Sequence, residues 1–420
     1  MKKVLSILLA LTLVFSLAGC GASSADGGGV LNGGGGLKGE GDVMFDAAVD
    51  GEYGAEMAPG EPGSVEGDGL DVPEEQKPQY QSGTLTAGEW SDLKNQDFWT
   101  KLLNRNDWYQ LMEDRNLYAN KIISVIVENT EGVRQYNALV ELLDEQGNVL
   151  YKARTTMQGE AYLLYDLHKT GEKAHSVRVG ESVVALNDQT SVTVVHDEPY
   201  NGVSLDLMLM VDTTGSMSDE LKYLQKELES VIKSINRQSD MNIRVSVNFY
   251  RDEDDDYVVR TFEFSGNIDE VLQQLAAQDT DGGGDYPEAV HKALDSILQD
   301  HQWEPNATKI CFFVMDAPPH SEAEIKGINE QMTKTVKALA AEGVRLIPVA
   351  SSGVNTETEF LLRSWAVMTG GTYTFLTDHS GVGNSHLEPT VGEYEVEKLN
   401  DLMVRLLMEY LSIDVTVPQA

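Results

Sequence analysis

The sequence predicts an α/β chain, doubly wound in its C-terminal half, with a small all-β sandwich-like region ahead of it and a disordered N-terminal linker. Three observations carry that expectation. Apolar runs alternate with helical-period segments from Leu205 to Leu411, short β-rich runs recur between residues 119 and 198, and residues 20–83 are crowded with glycine and acids. A length of 420 residues exceeds one hydrophobic core, and an apolar fraction of 41% supports ordinary globular packing. The formal net charge of −37 keeps the chain soluble and argues against nucleic acid as a partner.

The chain opens MKKVLSILLALTLVFSLAGC, a basic start, a short apolar run and small residues before a cysteine. This is the layout of an export signal, assigned to residues 1–19. The ending Leu17-Ala18-Gly19-Cys20 resembles the lipobox of bacterial lipoproteins, which implies acylation of Cys20 and attachment to the extracytoplasmic face of the cell membrane. Two acyl chains on one cysteine meet the two-anchor requirement for stable attachment. A cleaved secretory peptide, or an uncleaved anchor with an incidental cysteine, is the alternative. The other cysteine, Cys311, lies in the apolar run KICFFVMD and reads as a core residue. If Cys20 carries lipid, no intramolecular disulfide is possible, and core burial alone must hold the exported fold.

Residues 20–83 bury too little apolar surface to offset their ordering entropy, so a disordered, tethering stalk is expected there. In 84–118, Trp90, Leu93, Trp99, Leu102 and Leu103 stand near helical spacing. One or two short helices are expected, their aromatics packing against the next domain rather than forming a ligand box. The runs KIISVIVEN, ALVELLD, VLYKAR, EAYLLYDL, SVRVG, ESVVALN and TSVTVVHD predict an antiparallel sandwich over 119–198. Residues 138–161 also resemble transthyretin-like or carboxypeptidase-regulatory-like sandwiches, a likeness that implies a spacer or interaction module.

From residue 203 to 412 strands and helices alternate. Strand 205–211 precedes a helix with Leu221, Leu224, Leu228, Val231, Ile232 and Ile235 on one face, then strand NIRVSVNFY, the acidic turn RDEDDD and strand YVVRTFEF. Helices 268–277 and 287–299, strand KICFFVMD, helix 323–341, strand VRLIPVA, helix 357–369, strand TYTFL and a last helix follow. Such alternation predicts a parallel sheet covered on both faces, with an antiparallel edge added by the short link at 251–257.

Ligands of such sheets bind outside the carboxyl ends of the strands. Three segments should meet there: Asp212-Thr213-Thr214-Gly215-Ser216, then Asp281 to Glu288 with its three glycines and Asp285, and Asp316-Ala-Pro-Pro-His320. Their carboxylates and hydroxyls are hard oxygen donors, suited to Mg²⁺, Mn²⁺ or Ca²⁺ rather than zinc or copper. A helix N-terminus capped by Ser216 or Ser218 accounts for part of the first segment, but not for a strand-end aspartate facing two more acid-bearing loops. Asp252, Asp254, Asp256 and Glu263 share the spacing of a calcium loop, but Tyr257 stands where the turn needs glycine, so an acidic hairpin is expected instead.

Asp212-x-Thr214-x-Ser216-Met217 resembles the metal-ion-dependent adhesion site that opens a von Willebrand factor A domain, and the element order over 203–412 fits that family's Rossmann-like fold. FYRDEDDDY, GGGDYPEAV and VMDAPPH resemble runs that recur together in one branch of it. The resemblance implies a divalent cation held by Asp212, Thr214, Ser216 and Asp316. Gly284 stands where a metal-binding threonine is usual, so Asp285 is expected to substitute directly or through water. An under-neutralised ion with an open position would attract a carboxylate, which implies a protein partner bound through an acidic residue, in adhesion or surface assembly. Binding rather than turnover is expected. A metal-dependent hydrolase, with His320 as the candidate base, and a metal-free structural module stay open as alternatives.

Overall fold

The computed structural model describes residues 84–199, 204–238, 241–284, 286–381 and 385–412. The expected signal segment, Cys20, the stalk and Asp285 lie outside the described residues. No described helix is long and apolar enough to cross a membrane.

In chain order the elements are β1 (Thr86–Trp90), α1 (Gln96–Leu103), α2 (Asn106–Asp114), β2 (Ile122–Glu128), β3 (Leu139–Leu143), β4 (Val149–Arg154), β5 (Glu160–Leu164), β6 (Ser176–Val179), β7 (Ser182–Ala185) and β8 (Ser191–Val195). Then come β9 (Ser204–Asp212), α3 (Leu221–Gln238), β10 (Asn242–Tyr250), β11 (Val259–Arg260), α4 (Ile268–Ala276), α5 (Val290–Gln299) and β12 (Thr308–Met315). The chain ends with α6 (Ile328–Glu342), β13 (Val344–Ala350), α7 (Thr356–Thr369), β14 (Tyr373–Thr377), β15 (Glu397–Lys398) and α8 (Leu399–Tyr410).

One mixed sheet has the order β11-β10-β9-β12-β13-β14-β1-β15, with β10, β9, β12, β13 and β14 parallel. Side chains of β9 alternate between its faces as the pleat requires. Met208 and Met210 join Cys311, Phe313 and the buried stripes of α5, α6 and α7. Leu205, Leu207, Leu209 and Val211 join those of α3, α4 and α8. Helices on both faces bury the central strands completely, so these strands are near-continuous apolar runs. The doubly wound α/β expectation is met.

Ahead of it lies a separate β-rich region of two facing sheets, β5-β2-β8 and β4-β3-β6-β7. Its strands match the expected runs, but the β2–β8 pair is parallel, so the sandwich is not purely antiparallel. The 84–118 segment differs further: it opens with a strand, β1, which pairs antiparallel with β14 and extends the C-terminal sheet. Thr86 Oγ1 reaches Thr377 Oγ1 at 2.8 Å across 291 residues, a partnership that local periodicity does not encode. The aromatics of the segment do pack on the α/β layer. Trp108 sits edge-on to Phe360, and fully buried Arg363 lies 5.2 Å from the rings of both Trp99 and Trp108 while gripping both carboxylate oxygens of Asp92.

The expected strand YVVRTFEF shrinks to the two residues of β11. Buried polar side chains of β10 take over its ladder: Phe262 N donates to Asn248 Oδ1 at 2.9 Å, and Ser246 Oγ donates to Phe262 O at 2.7 Å. The chain beyond β11 is thereby tied to the sheet without regular strand geometry.

Candidate functional site

The parallel register places the carboxyl ends of β9, β10 and β12 side by side, with Asp212 opposite Tyr250 and Val211 opposite Val314. Asp316 follows β12 directly. The glycine loop closes over the gap: Gly215 N donates to Gly282 O at 3.2 Å, Asp281 N to Thr213 O at 3.2 Å, and Glu288 N to Pro318 O at 3.0 Å. All three expected segments therefore converge, bringing Asp212, Thr214, Ser216 and Asp316 together.

Asp212 and Thr214 are fully buried, whereas Ser216 is exposed. Thr214 N and Thr214 Oγ1 donate to Asp212 Oδ1 at 2.9 and 2.7 Å, and Thr214 Oγ1 lies 3.1 Å from Ser216 Oγ. Asp212 Oδ2 and Asp316 Oδ1 are buried without hydrogen-bond partners. Burial pushes the Asp212 carboxyl up to about 6, against the pull of its Thr214 bonds. Burial, reinforced by the Asp212 charge, pushes Asp316 up to about 8. Two buried carboxylates at adjacent strand ends, each with an oxygen that meets no direct hydrogen bond, form an arrangement that a cation would neutralise. Among the described residues no three His, Cys, Asp or Glu side chains are placed to hold an ion by themselves, so a fitting donor set combines carboxylates with hydroxyls. Asp212, Asp316, Thr214 and Ser216 offer that combination.

Gly284 is exposed, and a Cβ there would meet no atom within 4 Å, so its lack of a side chain has no steric cause. Gly283 differs. Its φ is +70°, and a Cβ would fall 2.9 Å from Glu288 Oε1 and 3.0 Å from Thr214 Cβ. The bare backbone there lets the glycine loop pass between Thr214 and Glu288.

His320, the candidate base, is turned to the acidic hairpin. Its Nε2 lies 2.8 Å from Asp252 Oδ1 and its Nδ1 3.8 Å from Glu324. Asp255, in the same hairpin, accepts from Gly283 N through both carboxylate oxygens, at 3.3 and 3.0 Å. The hairpin thus buttresses the site loops. The loop after Asp316 is held from the other side by Arg115, at the end of α2, whose guanidinium donates to the carbonyls of Pro319 and His320 at 3.0 and 2.8 Å. Sequence reasoning missed Arg115, since nothing local in the sequence links it to a loop 200 residues away. From the sequence Glu220 reads only as an acid complementing the dipole of the helix that follows, yet it is fully buried, its Oε1 lying 3.1 Å from His386 Nε2 and accepting from Ser352 N at 3.2 Å.

Residues 206–382 match the model of the von Willebrand factor type A domain. An alpha-protein kinase, vwkA, of Dictyostelium discoideum is 27% identical over 119 residues, which are 28% of this chain and 19% of the kinase. An ariadne-like RING finger protein of Acanthamoeba polyphaga mimivirus is 28% identical over 126 residues, 30% of this chain and 12% of that protein. The chain thus spans less than a fifth of either relative. Among solved structures, BatB of Bacteroides thetaiotaomicron aligns with 99% of its chain and 50% of this one, at 10% identity and a TM-score of 0.34. Residues 206–382 of this chain are a von Willebrand factor type A domain.

Proposed function

We propose that the chain binds protein partners through a divalent cation, Mg²⁺, Mn²⁺ or Ca²⁺, held by Asp212, Thr214, Ser216 and Asp316, with Asp285 as a further ligand. A protein-interaction role is the general one for the von Willebrand factor A domain. The observation that carries the ion is the pair of idle buried oxygens, Asp212 Oδ2 and Asp316 Oδ1, beside two hydroxyls at the ends of adjacent strands. Exposed Ser216 would leave an ion held there open to solvent, where a partner's carboxylate could complete its coordination. Tyr286, 46% exposed and anchored by its hydroxyl to Gly353 O at 2.8 Å, offers an apolar rim beside it.

Cys20 and the leader before it support a lipid anchor on the extracytoplasmic face, which makes the protein an adhesion or surface-assembly scaffold on a stalk. Recognition suits the site better than hydrolysis, because His320 is engaged with Asp252 in the acidic hairpin.

The test is calorimetric titration of the full chain with each ion, alongside Asp212→Ala. Heat of binding in the parent and none in the variant is expected; identical heats eliminate the site. Partner capture in the presence and absence of chelator then reads the interaction, and a partner retained equally in both is not using the ion.

A further inference from the structure

The seam between α3 and α4 is an open groove whose charge is opposite to that of the chain. Two adjoining cavities, of about 410 and 280 Å³, run along it and share Leu272. Lys222, Lys226, Lys233 and Arg237 line its α3 side, all exposed and at the helical spacing that puts them on one face. Ile268, Leu272 and Leu275 of α4 form an apolar floor. The acids of the lining, Glu229 and Asp269, are outnumbered, although the chain as a whole carries a formal net charge of −37. Gln225 Nε2 donates to Leu275 O and Gln278 O at 3.0 and 2.9 Å, which ties the two helices together and fixes the shape of the groove.

Exposed lysines are ordinarily the solvated face of a helix, favoured by propensity and by pairing with neighbouring acids. Neither reason covers this stripe. Lys222 and Lys226 stand in the first two turns of α3, where the helix dipole disfavours cations, and the first turn holds no acid to offset them. Lys233 pairs with Glu229, but among the described residues no carboxylate lies within ion-pair distance of Lys222, Lys226 or Arg237. In a chain of 68 acidic and 31 basic residues, cations left without a partner side by side call for one from outside.

We infer that this groove docks an acidic amphipathic helix of a partner protein. From Lys222 to Arg237 it is roughly 22 Å long at the rise of an α-helix, the length of about four turns. A helix laid there sets its apolar stripe on Ile268, Leu272 and Leu275 and its acidic flank along the cations of α3. Opposite charge at the groove steers such a partner in against the repulsion of the chain as a whole. An anionic bilayer fits less well, because the apolar floor is recessed between two helices and the remaining surface repels a negative plane. The groove does not rest on the ion site proposed above.

The experiment adds the full chain, in chelator, to a fluorescein-labelled synthetic helix of about 16 residues and reads anisotropy. Its leucines stand at i, i+3, i+4 and i+7 and are flanked by glutamates. The other probes are the same peptide with lysines in place of the glutamates, and phosphatidylglycerol vesicles. The parent should bind the acidic peptide, and Lys226→Glu/Lys233→Glu should bind it at least about tenfold more weakly, with Lys226→Gln/Lys233→Gln in between. Both positions are exposed, so the urea midpoints of the variants should stay near that of the parent. Equal affinity in parent and charge-reversed variant overturns the inference, as does a parent that ignores the acidic peptide. A lysine peptide that binds as tightly overturns it too, since only the apolar floor would then be at work. Vesicles that bind the parent but not the variant, with the peptide binding neither, turn the stripe into a membrane contact and also overturn it. Chelator is present throughout, so failure of the ion site produces none of these results.

Discussion

Thr214 is bound twice to one oxygen of Asp212, through its backbone N–H and its hydroxyl, and with that oxygen so engaged the other, Oδ2, has only the buried Tyr250 hydroxyl in its neighbourhood and no direct hydrogen bond. The aspartate's orientation is therefore set before any ion arrives, as a preorganised ligand requires. The same hydroxyl oxygen lies 3.1 Å from Ser216 Oγ, so one side chain both aims the acid and would stand in the proposed donor set.

Replacing Thr214 with Val keeps the volume and the backbone N–H but deletes that hydroxyl. Loss of a hydrogen bond to a charged acceptor should cost about 1.5–3 kcal/mol of stability without ion. Ser216→Ala, at an exposed position, should cost within about 0.5 kcal/mol. Both should weaken ion binding by calorimetry. Urea unfolding in chelator separates them, and equal stability losses would show that the Asp212–Thr214 bond does not organise the loop.

Gly283 and Gly284 are neighbours with opposite demands. At Gly283 a positive φ combines with a Cβ position overlapping Glu288 Oε1 and Thr214. Gly283→Ala should therefore destabilise by about 1–3 kcal/mol and disturb the ion site. At Gly284 a Cβ finds open space, so Gly284→Ala should change stability by less than about 1 kcal/mol. Urea midpoints of the two variants decide it, and a Gly284→Ala penalty as large as that of Gly283→Ala would refute the assignment of the strain to Gly283.

Arg115 ties the segment before the β-rich region to the loop after Asp316, with a further bond to Glu357 at 2.7 Å. The Arg115 side chain is 5% exposed, so Arg115→Met leaves the buried Pro319 carbonyl and the part-buried His320 carbonyl without this donor, at about 1–3 kcal/mol. If the clamp also positions Asp316, ion affinity should fall as well. A variant that loses stability but binds the ion as the parent does would confine Arg115 to fold support.

What could be read in the sequence was what is encoded over a few residues. Asp212, Thr214 and Ser216 follow a strand at fixed offsets, and Asp316 follows another, so parallel pairing of β9 with β12 was enough to bring them together. Glu288 was visible within the glycine segment but not singled out, because its burial depends on how the backbone turns at Gly283. The strand at Thr86–Trp90 was hidden for a different reason: its partner is β14, nearly the whole described chain away, and the tryptophans around it follow helical spacing. The two-residue β11 shows the reverse, a β-rich run whose ladder bonds went to Ser246 and Asn248 side chains instead.

His386 gives the pH dependence its sign. It lies between Asp378, 2.7 Å from Nδ1, and Glu220, 3.1 Å from Nε2, with only 4% of its side chain exposed. Burial opposes the imidazolium, but the bonds to Glu220 and Asp378 together outweigh it and hold the histidine above its ordinary value of 6.5. A histidine raised by folding contributes stability that is fully present below its unfolded value and is lost as pH climbs through its folded one. His386→Gln should therefore destabilise the protein more at pH 6 than at pH 9, because only at the lower pH does the parent hold the charged ring between two carboxylates. Urea unfolding of parent and variant at the two pH values reads the difference directly. Equal losses at both would mean that the imidazole acts there through its shape and neutral hydrogen bonds, not through its charge.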